Sequence, residues 1–517
     1  MSGKDLLVQA KTGTGKTIAF LLPTIERLRK QTPPYQGISI LVLSPTRELA
    51  LQIETEAKML VQSHPLKVQH AIGGTNINRD VTNLVQGRCD ILIATPGRLL
   101  DLLQTYDLQR QLGSLKALIY DEADRLLDQG FKPDLDKILT YLPDRRQVPR
   151  QALLFSATIS EEIKQIASEA LGNNYTFIST LLEDEVNTHQ HVEQSSVIVP
   201  SSDFLPLTLA LLRMDHQAHF DPATGKSTSK CMIFFPTAKQ VAVAADTFNE
   251  LSNLAPVYEI HSRKSQAHRT KASDAFRATP NGILLSSDVA ARGIDFPGVT
   301  LVLQVGLPAN GEQYIHRLGR TARAGAAGRG ILVLSPAEKF FLRSISDLPI
   351  SPMEPNTVPL LDPYTAELNA ALSKVDDGSK ASAYRAWMGY YNSSLKGLKW
   401  DKATLVKEAE AYARTSLGWI GEKPPSIEAK TAGKMGMRGV PGLNIEHRAR
   451  GGAGPGRPRS QEAEPSGDRA PQHFGPSTNA RRGGYQGKRP RSSVEGETTS
   501  RPPRPRGPPR FNGPTQG

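Results

Sequence analysis

Two stretches hold residues whose types and spacing suit phosphate chemistry. "AKTGTGKT", from Ala10 through Lys11, Thr12, Gly13, Thr14, Gly15 and Lys16 to Thr17, differs from the G-x-x-x-x-G-K-[ST] loop only by Ala10 at the first glycine. In such a loop Gly13 and Gly15 let backbone N–H groups close on phosphate oxygens, and the following helix adds its positive end. Lys16 reaches the β and γ phosphates, while the Thr17 hydroxyl can ligate Mg²⁺. The second stretch, "LIYDEAD", sets Asp121, Glu122 and Asp124 at the end of an apolar run. One carboxylate there can hold a phosphate-bridging metal and another can orient an attacking water. Acidic residues also favour the first turn of a helix, and on these residues alone the two readings weigh equally. Together the stretches imply hydrolysis of a nucleoside triphosphate. A third, "PATGKST" (Pro222 to Thr228), contains Gly-Lys-Ser but has polar residues before it and a strand after it, so it reads as a surface loop.

The elements that would position these groups are legible as short apolar runs alternating with helical patterns to about residue 345. "DLLVQA", "ISILVLSP", "CDILIATP", "ALIYDEAD" and "ALLFSAT" form one set; "SSVIVP", "KCMIFFP", "APVYEIHS", "NGILLSSD", "TLVLQVG" and "GILVLSP" form another. Unbroken apolar runs separated by helices indicate buried parallel strands in βαβ units, hence an α/β fold. Nearly every strand of the first set ends in a polar or glycine motif: "SPTRELA", "GGT", "ATPGR", "DEAD", "FSAT". The carboxyl edge of a parallel sheet is where ligands bind, and this loading favours the catalytic reading of the acids.

The organisation expected is a first α/β domain over 1–180, a polar linker over 181–192 and a second domain over 193–345. A helical extension over 346–445 and an Arg-, Gly- and Pro-rich tail over 446–517 follow. The tail has 14 Lys or Arg against 6 Asp or Glu, most of the chain's +12, and 25 of its 72 residues are Gly or Pro. Such a segment buries too little apolar surface to offset its ordering entropy and is expected to stay disordered. Cys89 and Cys231 are too few and too far apart for a disulfide framework or zinc site. No apolar run approaches the ~20 residues that cross a bilayer, so a soluble intracellular protein with no membrane partner is expected.

In the second domain, "YIHRLGRTARAG" repeats Arg317, Arg320 and Arg323 at three-residue spacing, which a helical turn would set along one side. A solvated basic helix gives the same spacing. The first domain, however, has no arginine near its phosphate loop. Arginine supplied from another domain can add about 10³–10⁵ in rate, which suggests hydrolysis only when the domains close.

In order, "AKTGTGKT", "PTREL", "TPGR", "DEAD", "SAT", "ARGID" and "HRLGRTAR" resemble the DEAD-box family of ATP-dependent RNA helicases over about residues 1–345. The resemblance implies two tandem RecA-like parallel-sheet domains that clamp ATP and single-stranded RNA. Carried over by motif, Ala10 to Thr17 bind ATP, with Lys16 on the phosphates. Thr17 and Asp121 hold Mg²⁺, partly through water, and Glu122 positions the water. Asp295 contacts the ribose, Arg320 and Arg323 act as arginine fingers, and Ser156, Thr158 and His316 couple hydrolysis to RNA. RNA contacts would come from Thr46, Arg47, Gly73, Gly74, Thr95, Pro96, Gly97 and Arg98. Across the cleft they would come from "SRKSQAHR", with Gln266 and Arg269, and from Ser287. These are mostly backbone and phosphate contacts, so binding should be sequence-independent.

The family reads adenine through a glutamine motif upstream of the phosphate loop, and "MSGKDLL" offers nothing equivalent. An N-terminally truncated chain is therefore expected, with an RNA-binding protein of impaired ATP site as the alternative. A DNA translocase is disfavoured by "DEAD", "SAT" and the tail. "AYRAWMGYYNSS", "GMRGVPGLNI", the arginine-glycine tail and "TAR" at Thr321 to Arg323 are similar to the fungal mitochondrial DEAD-box helicases that assist group I and group II intron splicing. That implies a monomer in the mitochondrial matrix that remodels structured RNA in splicing and translation, its transit peptide lost. Nucleolar ribosome-biogenesis relatives with similar extensions stand as the other reading. In either case the extension would pack on the second domain and bend RNA, while the tail tethers the enzyme with strongly salt-dependent affinity.

Overall fold

The computed structural model describes residues 3–10, 14–30, 37–171, 174–181, 192–290, 294–322, 327–354 and 357–446. Residues Met1–Ala449 form one compact unit. The linker expectation falls almost wholly on residues outside the described set, as does the tail beyond Glu446.

The first lobe is a parallel sheet of β1 (Leu6–Gln9), β2 (Ile40–Leu43), β3 (Val68–Ala71), β4 (Ile91–Ala94), β5 (Ala117–Tyr120), β6 (Gln151–Ser156) and β7 (Thr176–Ser179), in the order β3-β4-β2-β5-β6-β1-β7. The second lobe holds β8 (Glu193–Ile198), β9 (Lys230–Phe234), β10 (Val257–Ile260), β11 (Gly282–Ser286), β12 (Leu301–Val305), β13 (Arg329–Leu334) and β14 (Ile350–Pro352). Its order is β10-β11-β9-β12-β13-β8-β14. Numbered within its own lobe, that order is the same as the first. The two sheets are topological copies, as tandem RecA-like domains require.

The central strands β2, β4, β5 and β6 bury every residue. Helices cover both faces, so a polar side chain there loses its water, and the sequence shows nearly continuous apolar runs. The strands absent from the two predicted sets are all peripheral. β3 has its two middle residues half-buried, β7 is exposed throughout, and β14 is exposed at two of three positions. An edge strand with a wetted face carries no such run. β14 also corrects a boundary. Ile350–Pro352 pairs in parallel with Gln194–Ser196, so the second lobe runs past 345 to Pro352. A proline is tolerated there because an edge strand needs no donor on its outer side.

The helices that matter below are α1 (Lys16–Arg29), α2 (Arg47–Leu60), α3 (Pro96–Thr105), α4 (Ala123–Asp128), α5 (Phe204–Ala218), α6 (Gln266–Ala278), α7 (Gly311–Leu318), α8 (Asp362–Ser373), α9 (Asp377–Asn392) and α10 (Lys402–Thr415). Three of these, α8 to α10, build the expected extension. α9 buries Ala383, Tyr384, Trp387, Met388 and Tyr391, and α10 buries Leu405, Val406, Ala409, Tyr412 and Ala413. Both sets follow helical periodicity. Trp387 stacks on Tyr391 at 4.2 Å and on Tyr412 at 5.0 Å between ring centroids. The same apolar cluster includes Leu307, Leu318, Leu332, Leu334 and Phe341 of the second lobe, so extension and lobe share one core. The extension is not purely helical: Ile427–Glu428 pairs with Ile445–Glu446 in a two-residue ladder too short to leave a sequence pattern. "PATGKST" is a surface feature as read, although it forms an antiparallel hairpin of Phe220–Asp221 with Lys226–Ser227. Among the described residues no helix is long and apolar enough to cross a membrane.

Candidate active site and nucleic-acid interface

The phosphate loop joins β1 to α1. Ala10, Thr14 and Gly15 belong to the described residues; Lys11, Thr12 and Gly13 do not. Gly15 caps α1 with φ +82°, a left-handed conformation that a side chain would strain even though the space around it is open. Ala10 N donates to the Ser156 carbonyl at 3.0 Å, which holds the start of the loop against the end of β6. Lys16 Nζ is buried there without a hydrogen-bond partner, and so are Glu122 Oε2 and Ser156 Oγ. Each unsatisfied buried group costs about 1–3 kcal/mol, and more when charged. Thr17 and Thr158 stand half-buried nearby in the chain.

Asp121 follows β5 and is 3% exposed. Burial first pushes its carboxyl up to about 7; the charge of Lys16 opposes this, and those of Glu122 and Asp124 add to it. Glu122 adopts φ +50° at the cap of α4. A non-glycine residue there stores strain, which turns the carboxylate at the sharp exit from the strand. An acid pushed toward neutrality beside an unpaired ammonium fits a ligand that brings both anionic oxygens and a cation. No group of three or more His, Cys, Asp or Glu among the described residues could hold a metal alone.

The second-lobe residues are arranged less simply than the spacing predicts. α7 ends at Leu318, and Gly319 caps it, so Arg317 and Arg320 do not lie along one helical side. Arg317 then faces Asp288, with Nε 2.8 Å from Oδ1, while Arg320 Nη1 donates to the Ile294 carbonyl at 2.6 Å. His316 is buried on α7, and Arg320 Nε lies 3.3 Å from its carbonyl. Arg323 lies outside the described residues. Asp295 is exposed, and its N–H donates to Gln52 Oε1 of the first lobe at 3.2 Å.

The expected RNA contacts converge. A cavity of about 620 Å³ is lined by Thr46, Arg47, Gly73, Gly74, Thr95, Gly97 and Arg98 of the first lobe and by Ser262, Arg269 and Asp288 of the second. Gly74 has φ +82°, a conformation that a side chain would strain, and the Arg47 guanidinium lies against both Gly73 and Gly74. Thr46 caps α2 by accepting from Leu49 N, and Thr95 with Pro96 opens α3. Ser287 is buried one residue before Asp288.

Three residues expected to hold RNA are engaged by protein groups in this structure. Arg98 pairs with Asp80 and donates to the Thr75 carbonyl at 2.9 Å, which braces the Gly73–Gly74 loop. Gln266 and Arg269 both reach across the seam to Glu48 Oε1, at 3.0 and 2.5 Å. Burial explains this: an arginine 6% exposed needs a carboxylate, and Glu48 is the one within reach. Glu48, Gln52, Asp80, Arg125 and Asp288 were not singled out in the sequence. Glu48 and Arg125 stand inside or directly after quoted motifs. Their role depends on which residue of the other lobe faces them, and spacing within one lobe carries no such information.

Residues 1–166 match the DEAD/DEAH box helicase model and residues 214–325 match the helicase conserved C-terminal domain. "DEAD-box ATP-dependent RNA helicase 26" of Oryza sativa subsp. japonica is 45% identical over 446 residues, 86% of this chain and 79% of the relative. "ATP-dependent RNA helicase mss116, mitochondrial" of Aspergillus oryzae is 40% identical over 458 residues, 85% of this chain and 69% of the relative. Mss116p, solved bound to single-stranded RNA and AMP-PNP, superposes with a TM-score of 0.74 at 28% identity, over 86% of this chain and 89% of that one.

Proposed function

The chain belongs to the DEAD-box family of ATP-dependent RNA helicases, and we propose that it uses the residues described above to remodel structured RNA in the mitochondrial matrix. The observation that carries the site assignment is the cluster of unsatisfied groups at Lys16, Glu122 and Ser156 beside Asp121. Phosphate oxygens would accept from the Lys16 ammonium and the Ser156 hydroxyl, and the attacking water would donate to Glu122 Oε2. Lys16 would neutralise the β and γ phosphates, and Glu122 would orient the water for in-line attack on the γ phosphorus. A magnesium ion carried by the phosphates would be held by Thr17 and Asp121, where it draws negative charge off the reacting oxygens. Asp295 would take the ribose. Arg320, now on the Ile294 carbonyl, would exchange that partner for a phosphate oxygen when nucleotide fills the cleft, with Arg323 as the second cation.

RNA would lie in the groove of about 620 Å³ as a single strand, its phosphates on Arg47 and on backbone N–H groups of Gly73, Gly74 and Gly97. Phosphate contacts position without reading sequence, so short duplexes of any sequence would be separated locally. Ser156, Thr158 and His316 would report occupancy to the hydrolytic centre. The likeness to a fungal relative named as mitochondrial supports the matrix; there the chain would act as a monomer on group I and group II introns and in translation.

Steady-state ATP hydrolysis with saturating single-stranded RNA tests the core of this reading. Lys16→Ala and Glu122→Gln should each abolish the RNA-stimulated rate, and undiminished turnover in Glu122→Gln would refute that residue's role. For the setting, splicing of a group II intron transcript should proceed with wild type and ATP but fail with Lys16→Ala.

A further inference from the structure

The acids of the hydrolytic centre and the helix that leads to Arg320 belong to different lobes, and one side chain connects them. Arg125 directly follows Asp124 and is buried. Its Nη2 crosses the seam and donates to the main-chain carbonyl of Asp288 at 2.9 Å. The Asp288 carboxylate accepts in turn from Gln313 Nε2 at 2.6 Å and Arg317 Nε at 2.8 Å, both on α7. Behind Arg125, the Gln129 amide satisfies both its neighbours once its oxygen and nitrogen are interchanged: it then accepts from Arg125 Nε at 2.7 Å and donates to the Pro45 carbonyl at 3.1 Å.

Two features make this chain of contacts more than a buttress. Pro45, Arg125, Gln129 and Asp288 all line the groove assigned to RNA. Arg317 is fully buried over the Phe234 ring, 5.6 Å from its centroid, so it cannot follow a shift of Asp288 unless α7 shifts too. The groove wall and α7 are therefore tied through a short series of partly charged hydrogen bonds, anchored at its ends by buried Arg125 and Arg317.

We propose that Arg125 is a positioning residue that transmits RNA occupancy of the groove to α7, and so to the placement of Arg320, through Asp288, Gln313 and Arg317. The inference rests on the reading of the groove and of Arg320 given under Proposed function. An RNA strand on the Pro45–Gln129 wall holds Arg125 in register with Asp288. Arg125 then anchors the Asp288 loop, and the loop sets the pitch of α7. Without RNA the seam opens, water replaces the Arg125 contact, and α7 is no longer held to the lobe that carries the phosphates.

A double-mutant cycle on RNA-stimulated ATP hydrolysis tests this, using the full chain, Arg125→Gln, Asp288→Ala and the pair. Each single change should lower kcat at saturating RNA by at least about tenfold, with the KM for RNA moved much less. The double variant should be no slower than the slower single, because both break one series of contacts. Multiplied losses would mean two unrelated defects, and a rise in the KM for RNA at constant kcat would make Arg125 an RNA contact only; either result overturns the relay. Should Arg125→Gln fail to fold, Gln313→Ala removes a half-buried link touching neither groove nor nucleotide, and an unchanged RNA-stimulated kcat would overturn the relay. The activity itself is read separately from Lys16→Ala, so loss of the relay and loss of the site assignment give different results.

Discussion

The two lobes repeat one sheet, and the same three strand ends meet opposite fates in them. After the first, fifth and sixth strands the first lobe carries the phosphate loop, Asp121 with Glu122, and Ser156. In the second lobe the corresponding strands lead into Ser201–Asp203, Gly306 with Leu307, and Ser335. There the extension fills the position. Tyr390 OH donates to the Leu307 carbonyl at 2.8 Å, and Ser416 Oγ donates to the Ser201 carbonyl at 3.0 Å. Glu338 is buried between Leu307 N at 3.1 Å, Ser335 N at 2.7 Å and the Tyr391 hydroxyl. The first lobe leaves an ammonium, a carboxylate and a hydroxyl without partners; the second satisfies its buried acid internally. The difference teaches where ligand binding resides: the scaffold supplies a crevice in both copies, and the side chains decide whether the protein itself closes it.

The comparison breaks first where the effect is largest. If the unsatisfied groups are there to meet phosphate, Lys16→Ala should lower RNA-stimulated kcat by about 10²–10³-fold or more, as loss of one preorganised charge does. Its melting temperature without nucleotide should hold or rise, because an unpaired buried ammonium is removed. In the second lobe the effects should reverse. Trp387→Ala, which opens a cavity among Tyr391, Trp400 and Tyr412, should cost about 3–5 kcal/mol of stability by chemical unfolding. Glu338→Ala should cost about 2–4 kcal/mol, since it strands two backbone N–H groups and a tyrosine hydroxyl. A Glu338→Ala protein as stable as wild type would show that the extension does not replace ligand in this crevice.

Legibility in the sequence followed the same division. The first-lobe motifs were readable because a phosphate site needs particular residue types at fixed offsets within one strand–loop–helix unit. Lys16 to Thr17 and Asp121 to Glu122 sit at the strand ends where the apolar runs put them. Buried central strands were equally plain. What stayed hidden depends on partners distant in sequence. The edge strands β3, β7 and β14 take their identity from a neighbour's open ladder. The expectation that Arg317 and Arg320 share a helical side failed at Gly319, which ends α7 between them. Arg98, Gln266 and Arg269 have the charge or polarity for RNA, but Asp80 and Glu48 engage them in the structure. Nothing in "SPAEK" marks Glu338 as the acid that seals the second crevice; only the fold brings Tyr391 to it.

The smallest effect expected is the most specific to the comparison. Burial raises the Glu338 carboxyl above its ordinary value, against the pull of the Ser335 and Leu307 N–H groups and the Tyr391 hydroxyl. An acid raised on folding binds its proton more tightly in the native state. Its contribution to stability is therefore complete below about 4.5 and declines as pH rises through the raised value, by at most about 1.4 kcal/mol per pH unit. Unfolding free energy measured from pH 4 to 8 should show that decline in wild type relative to Glu338→Gln, in which nothing titrates at 338. Tyr391→Phe removes a donor to the charged form, which raises the native value further, so the decline should extend to higher pH in that variant. If Tyr391→Phe leaves the profile in place, the hydroxyl does not hold the carboxylate, and the extension closes this crevice through Tyr390, Ser416 and the apolar packing around Trp387.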